Sequence, residues 1–162
     1  MDERQARICR IARRVAVAER KKKDLALTLV IGLPGSGKST FAKGISGASH
    51  YEADMYFINE ETGEYNYDRS QIQAAHKWCQ GKAAADLQRG KSVVISNTSL
   101  TKWEREPYYK IAQYFGAKIY VKVMDMNFGS VHDVPEDVIE KMKQKYEPVG
   151  QDEISEYNIT ML

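Results

Sequence analysis

The residues Gly32-Leu33-Pro34-Gly35-Ser36-Gly37-Lys38-Ser39 fill the spacing G-x-x-x-x-G-K-[ST] at every fixed position. An apolar run precedes them and a helix-like pattern follows, the context in which such a loop cradles the phosphates of a nucleoside triphosphate. Its glycines let the backbone wrap tightly, so that several N–H groups converge on phosphate oxygens. Lys38 is placed to reach the β- and γ-phosphates and the Ser39 hydroxyl to ligate Mg²⁺. Thr40 opens the following helix, whose positive N-terminal end adds to the anion site. The candidate phosphate-holding set is Gly32, Pro34, Gly35, Ser36, Gly37, Lys38, Ser39 and Thr40, with Ser39 also the metal candidate. ATP and Mg²⁺ are the implied ligands. The loop does not choose among kinase chemistry, hydrolysis and a switch, because that depends on the other residues brought to the γ-phosphate.

A kinase also needs a carboxylate to align the acceptor hydroxyl and take its proton, at the C-terminal end of a strand beside the loop. Asp54, about fifteen residues beyond the loop, fits that place. The same aspartate could equally be a turn or helix N-cap.

The elements that must position these groups follow from periodicity. Leu25 to Ile31 is a continuous apolar run, as expected of a central parallel strand buried on both faces. Thr40 to Ile45 begins a helix, and a short strand is expected near His50 to Ala53. Ser70 to Arg89 reads as a long helix with Ile72, Ala75, His76, Cys79 and Leu87 on its inner side and Gly90 as its stop. Lys91 to Ser96 and Lys118 to Met124 read as strands, and Thr101 to Phe115 and Pro135 to Tyr146 as helices. Residues from Glu147 onward are polar and ambiguous. Alternating strands and helices imply an α/β three-layer sandwich of the P-loop NTPase kind, with a parallel sheet of four to five strands.

Before the first strand, Ile8, Ile11, Ala12, Val15 and Ala18 form one apolar stripe at helical spacing, flanked by arginines and closed by Lys21-Lys22-Lys23. Residues 1–24 hold nine Lys/Arg against four Asp/Glu, a net of +5, and the remaining 138 residues fifteen against eighteen, a net of −3. The basic character therefore belongs to an N-terminal amphipathic helix. Its stripe either docks on the domain or contacts nucleic acid, a partner or ligand phosphates. The organisation read from this is an extension over 1–24, a P-loop domain over 25–147 and a tail over 148–162.

Hydrophobic residues make up 43% and charged residues 28% of the 162 residues, ordinary values for a globular protein. No run approaches the ~20 apolar residues of a membrane helix, and the arginine-rich start has no apolar secretory region. Cys9 and Cys79 match no metal spacing and read as free thiols. A cytoplasmic setting and no membrane association are expected.

With GLPGSGKST followed by Ala53-Asp54-Met55-Tyr56-Phe57, the chain resembles the kinase domain of phage-type polynucleotide 5′-hydroxyl kinases and the kinase domains similar to that of NEDD4-binding protein 2. The resemblance runs through Ala75-His76, VVISNTSL at 93–100 and Val131-His132-Asp133-Val134-Pro135-Glu136, covering roughly residues 26–147. It implies that Lys38 and Asp54 are catalytic, with Asp54 the general base. It also implies that Asn97 and Thr98 lie beside the metal and phosphates, and that His76 lines an acceptor groove. Tyrosines 51, 56, 65, 67, 108, 109 and 114 either stack bases there or rim the core.

The chain departs from the family at three places. The strand-end motif of the family carries an aspartate where this chain has Ser96-Asn97-Thr98-Ser99, and Phe57 stands where the phage enzymes read the acceptor's phosphate with a basic residue. No arginine occurs from Glu106 onward, where such kinases bring one over the transferring phosphoryl group. Lys141, Lys143, Lys145, Arg105 and the N-terminal arginines, in cis or from a neighbouring subunit of a homo-oligomer, are the candidate replacements. Two readings follow: a kinase acting on a polynucleotide 5′-hydroxyl or nucleotide-like acceptor, or a nucleotide-binding regulatory protein working through its basic helix.

Overall fold

The computed structural model describes residues 3, 5–7, 9–14, 24–126 and 134–162. Ala26–Ile31 forms β1 at the middle of the sheet. The phosphate loop leads into α1, Lys38–Lys43, then β2, Ala48–Tyr51, and a 3₁₀ turn, Ala53–Phe57. A further 3₁₀ turn at Arg69–Gln71 precedes α2, Ile72–Gln88, and β3, Ser92–Ile95. Then follow α3, Lys102–Phe115, β4, Lys118–Val123, α4, Glu136–Lys145, α5, Gln151–Tyr157, and β5, Ile159–Met161. The five strands run in the order β2-β3-β1-β4-β5, and every neighbouring pair is parallel.

Side chains alternate across a strand, and β1 shows how this builds the layers. Leu27, Leu29 and Ile31 pack with Val93, Ile95, Ile119 and Val121 against Ala75, Cys79 and Ala83 of α2 and Tyr108, Tyr109 and Ala112 of α3. Val30 faces the other way, with Val94 and Ala42 of α1. A third cluster of Leu33, Leu100 and Ile139 seats α4 beside the phosphate loop. Helices thus cover both faces, and the loop ends of β1, β2 and β3 share one edge.

Three expectations change. The segment set apart as a tail completes the sheet: α5 packs on the core through Tyr157, and β5 pairs with β4 through Ile119↔Ile159 to Val121↔Met161. On α2, Ala75, Cys79 and Leu87 are buried as expected, whereas Ile72 is 41% exposed at the first turn. That end overhangs a groove rather than the core. Among the described N-terminal residues, 3, 5–7 and 9–14 are helical, and Ile11 is 53% exposed. The described part of the stripe is not docked. Ile8, Val15 and Ala18 lie outside the described residues, as do Val131, His132 and Asp133.

Candidate phosphoryl-transfer site

The phosphate loop is fixed from both ends. The Gly32 N–H donates to the Thr98 carbonyl at 3.3 Å, tying the loop to the chain beyond β3. A Cβ on Gly32 would fall 2.4 Å from Ser36 Oγ and 3.0 Å from Met124 Cβ, so the backbone path leaves no room for a side chain. Gly37 caps α1 with φ +86°, a left-handed conformation that favours glycine. Lys38 Nζ donates to the Leu33 carbonyl at 3.0 Å, folding the ammonium back over the loop. Burial lowers the Lys38 pKa, and the carboxylates of Glu52 and Asp54 act to raise it.

Ser36 Oγ is buried without a hydrogen-bond partner among the described residues. A buried unsatisfied hydroxyl costs about 1–3 kcal/mol. Here it lies inside the ring of backbone that the motif reserves for phosphate oxygens. The orphan hydroxyl, the cradle closed to any Cβ and the adjacent ammonium fit a polyphosphate. For a hard cation at its edge, oxygen donors are required, and Ser39 Oγ beside the Glu52 carboxylate provides them.

Glu52 is the residue that sequence reasoning missed. It follows β2, whose register with β3 sets Tyr51 beside Ile95 and so brings Glu52 next to Ser96. Ser39 Oγ donates to Glu52 Oε1, and Ser96 Oγ donates to the same oxygen at 2.8 Å. His50 Nε2 lies 2.5 Å from Ser96 Oγ and 3.2 Å from Glu52 Oε1. Burial pushes the Glu52 carboxyl up, but hydrogen bonds from His50, Ser39 and Ser96 outweigh it and bring the pKa down to about 2. A carboxylate therefore does stand at this strand edge, supplied by β2 instead of β3. The only sequence sign was an acidic residue two before Asp54. Its meaning depends on which strand lies beside β2.

Asp54 sits on the 3₁₀ turn. Its carboxyl is raised above the usual range by burial and by the Glu52 charge, against the opposing pull of Lys38 and His76. Asn97 fixes this turn: its Oδ1 accepts the Ala53 N–H at 2.8 Å, while its Nδ2 donates to Tyr108 Oη at 3.2 Å and to Cys79 Sγ at 3.8 Å. Thr98 meets the phosphate loop through its backbone carbonyl. A groove of about 580 Å³ opens between α2 and α3, lined among others by His76, Lys77, Gln80, Asn97, Trp103 and Tyr108. His76 and Asn97 connect it to Asp54.

The tyrosines divide. Tyr108 and Tyr109 are core residues, and Tyr65, Tyr67 and Tyr114 are exposed. Tyr51 donates to Asp86 Oδ2 at 2.7 Å. Arg105, one candidate replacement for the arginine missing after Glu106, is fully buried. Its Nε and Nη2 donate to both oxygens of Glu153 at 2.7 and 2.8 Å, and its Nη1 to the Ser99 and Leu100 carbonyls at 3.1 Å. Every face of the guanidinium is engaged, so Arg105 is a structural cation and is removed from the candidates. Lys145 on α4 pairs with Glu104 at 3.7 Å.

The parallel sheet, the loop after its central strand and the carboxylates at the same edge define an α/β domain of the P-loop NTPase-like fold. Residues 27–128 match the family model described as an AAA domain, and the chain belongs to that family. It is 30% identical over 138 residues to human NEDD4-binding protein 2, spanning 76% of this chain but 8% of that much longer protein. Its fold is similar to a sugar kinase of Janibacter sp. with a TM-score of 0.57, at 19% identity over 85% of this chain and 84% of that one. It is also similar to a chain of the Pnkp1/Rnl/Hen1 complex with a TM-score of 0.53, at 20% identity over 70% of this chain and 42% of that one. At such identities the structural likeness concerns the fold.

Proposed function

We propose that this domain is an ATP- and Mg²⁺-dependent kinase whose acceptor is a polynucleotide 5′-hydroxyl or a nucleotide-like hydroxyl. The observation that carries the reading is that the end of β3 joins the two halves of the site: Thr98 accepts from Gly32 of the phosphate loop and Asn97 from Ala53 of the turn that carries Asp54, within electrostatic reach of Lys38. The loop backbone, Lys38 and Ser36 would hold the triphosphate, and Ser39 the metal. Bound Mg²⁺ would neutralise charge on the β- and γ-phosphates. The acceptor oxygen attacks the γ-phosphorus, and a new O–P bond forms as the bond to the β,γ-bridging oxygen breaks. The electron pair of that bond stays on ADP, and the acceptor proton passes to the Asp54 carboxylate. A carboxyl with raised proton affinity is a better base for this step than an ordinary surface aspartate. The kinship with NEDD4-binding protein 2 and the fold shared with kinases support the reading. It further includes a cytoplasmic setting, and contacts to a nucleic acid, a protein partner or a second subunit through residues 1–24.

The test is phosphate transfer from γ-labelled ATP with Mg²⁺ to 5′-hydroxyl DNA and RNA oligonucleotides and a nucleoside panel. Label should move to one acceptor class and be lost in Lys38→Ala. In Asp54→Asn it should fall about 10²–10⁴-fold, the usual worth of a positioned base. One observation favours a second reading, a nucleotide-binding regulatory domain: Arg105 is locked to Glu153 and cannot neutralise the transferring group. ATP binding without transfer to any acceptor would select it.

A further inference from the structure

Ser39 is the hydroxyl that the phosphate-loop motif commits to a divalent cation. In this chain it is not alone. Its hydroxyl donates to Glu52 Oε1, and the same oxygen accepts from the Ser96 hydroxyl at 2.8 Å. A serine hydroxyl has one proton to donate and two lone pairs to offer. With its O–H turned toward Glu52, the lone pairs of Ser39 are free to face a cation while the carboxylate stays within reach of its water shell.

The reach is set by the sheet. In the order β2-β3-β1, residue 96 directly follows the strand next to the one that feeds the loop, and residue 52 directly follows the strand beyond it. Neighbouring strands are about 4.8 Å apart. A carboxylate one strand further out therefore needs a longer side chain and a small residue in between. Glu52 and Ser96 meet both requirements, and the Ser96 hydroxyl bridges the gap by hydrogen bonding to Glu52. His50, on the same face of β2, closes the cluster against both groups.

We propose that Glu52 is the carboxylate of the divalent-cation site, relocated from the end of β3 to the end of β2, with Ser96 and His50 as positioning residues. The proposal rests on the reading of a nucleotide–Mg²⁺ site at this loop, and it explains how Ser96 can stand in a strand-end motif without emptying the site of acidic groups.

The test reads metal, not turnover. Affinity for a fluorescent N-methylanthraniloyl-ADP is measured in EDTA and in MgCl₂, and Mn²⁺ bound with ADP is counted by electron paramagnetic resonance. Wild type should bind the nucleotide more tightly with Mg²⁺. Glu52→Gln should lose most of that increment, about 10–100-fold in metal affinity as for outer-shell partners generally, with binding in EDTA unchanged. The double variant Glu52→Ser with Ser96→Asp should recover the increment by returning the carboxylate to β3. A full Mg²⁺ increment in folded Glu52→Gln, or none in wild type, overturns the proposal. Should Glu52→Gln fail to fold, a double variant without the increment overturns it as well. Asp54→Asn should keep the increment while losing transfer. A Glu52-dependent increment with no transfer in wild type would count against the kinase reading alone.

Discussion

Asn97 holds the backbone N–H of Ala53 through its side-chain oxygen at 2.8 Å, joining the end of β3 to the turn that carries Asp54. Its amide nitrogen spans back to Tyr108 and Cys79, so one side chain sets the distance between the turn, α2 and α3. Asn97→Ala would leave a buried N–H without a partner, a loss of about 1–3 kcal/mol. At about 2–4 °C per kcal/mol for a domain of this size, the melting temperature should drop measurably. If Asn97 also positions Asp54, kcat should fall while the KM for ATP stays put. A lower melting temperature with unchanged kcat would reduce Asn97 to a structural role.

The pair Arg105–Glu153 makes a prediction about acid. Burial alone would raise the Glu153 carboxyl, but hydrogen bonds from Arg105 and Tyr109 and the Arg105 charge hold it below the usual range. A depressed folded pKa means stability that is present above the unfolded value, about 4.3, and lost as pH falls through the folded one. Denaturant unfolding should therefore show stability declining below about pH 5, with a shallower decline in Glu153→Gln. At neutral pH the same variant leaves the Arg105 charge buried and uncompensated, a cost of about 3–5 kcal/mol. An unchanged acid slope in the variant would rule out Glu153 as its source.

What could be read from the sequence was what is local. The phosphate loop, the buried run of β1 and the start of α3 at Thr101, where a reciprocal cap with Glu104 is formed, are all encoded within a few residues. The partners that decide Glu52 and Arg105 are not local. Glu52 acquires meaning from Ser96, 44 residues away, and Arg105 from Glu153, 48 residues away. A charged residue on a helix reads as solvated until the chain that covers it is known. The same cause hid the last strand. β5 is three residues long with only Ile159 buried, and α5 ends at Asn158 in a left-handed turn. Nothing periodic marks so short a pair. What holds α5 is Glu153 reaching Arg105 and Tyr109.

Glycine positions separate binding from stability. Gly32→Ala places a Cβ against Ser36 Oγ and Met124 Cβ, so the loop must shift. Overpacking of this kind costs about 1–3 kcal/mol, and nucleotide affinity in a fluorescence titration should fall by tenfold or more. Gly81 in α2 is the opposite case, with nothing within 4 Å of an added Cβ. There alanine should stabilise by about 0.5–1 kcal/mol, since glycine is a poor helix residue, and leave nucleotide binding unchanged. Equal effects of the two substitutions on affinity would mean that the tight path at Gly32 is not what shapes the phosphate site.

Trp103 bears on the proposed acceptor. It lines the groove yet is 81% exposed, an unusual place for the largest side chain in the repertoire. It stands on the first turn of α3, across the groove from His76 and Lys77 of α2. A flat ring at the mouth of a groove that also offers a cation suits a base followed by a phosphate better than it suits a small polyol. Stacking on an aromatic side chain is worth about 1–3 kcal/mol per base. Trp103→Ala should therefore raise the KM for a 5′-hydroxyl oligonucleotide about 5–150-fold. Because the ring makes few contacts in the fold, the melting temperature and the KM for ATP should hold. Steady-state kinetics on oligonucleotide and nucleoside acceptors side by side separates the cases. A KM that rises for the oligonucleotide and not for the nucleoside places the stacked base beyond the one that receives the phosphate. An unchanged KM for both argues that the acceptor does not use this groove.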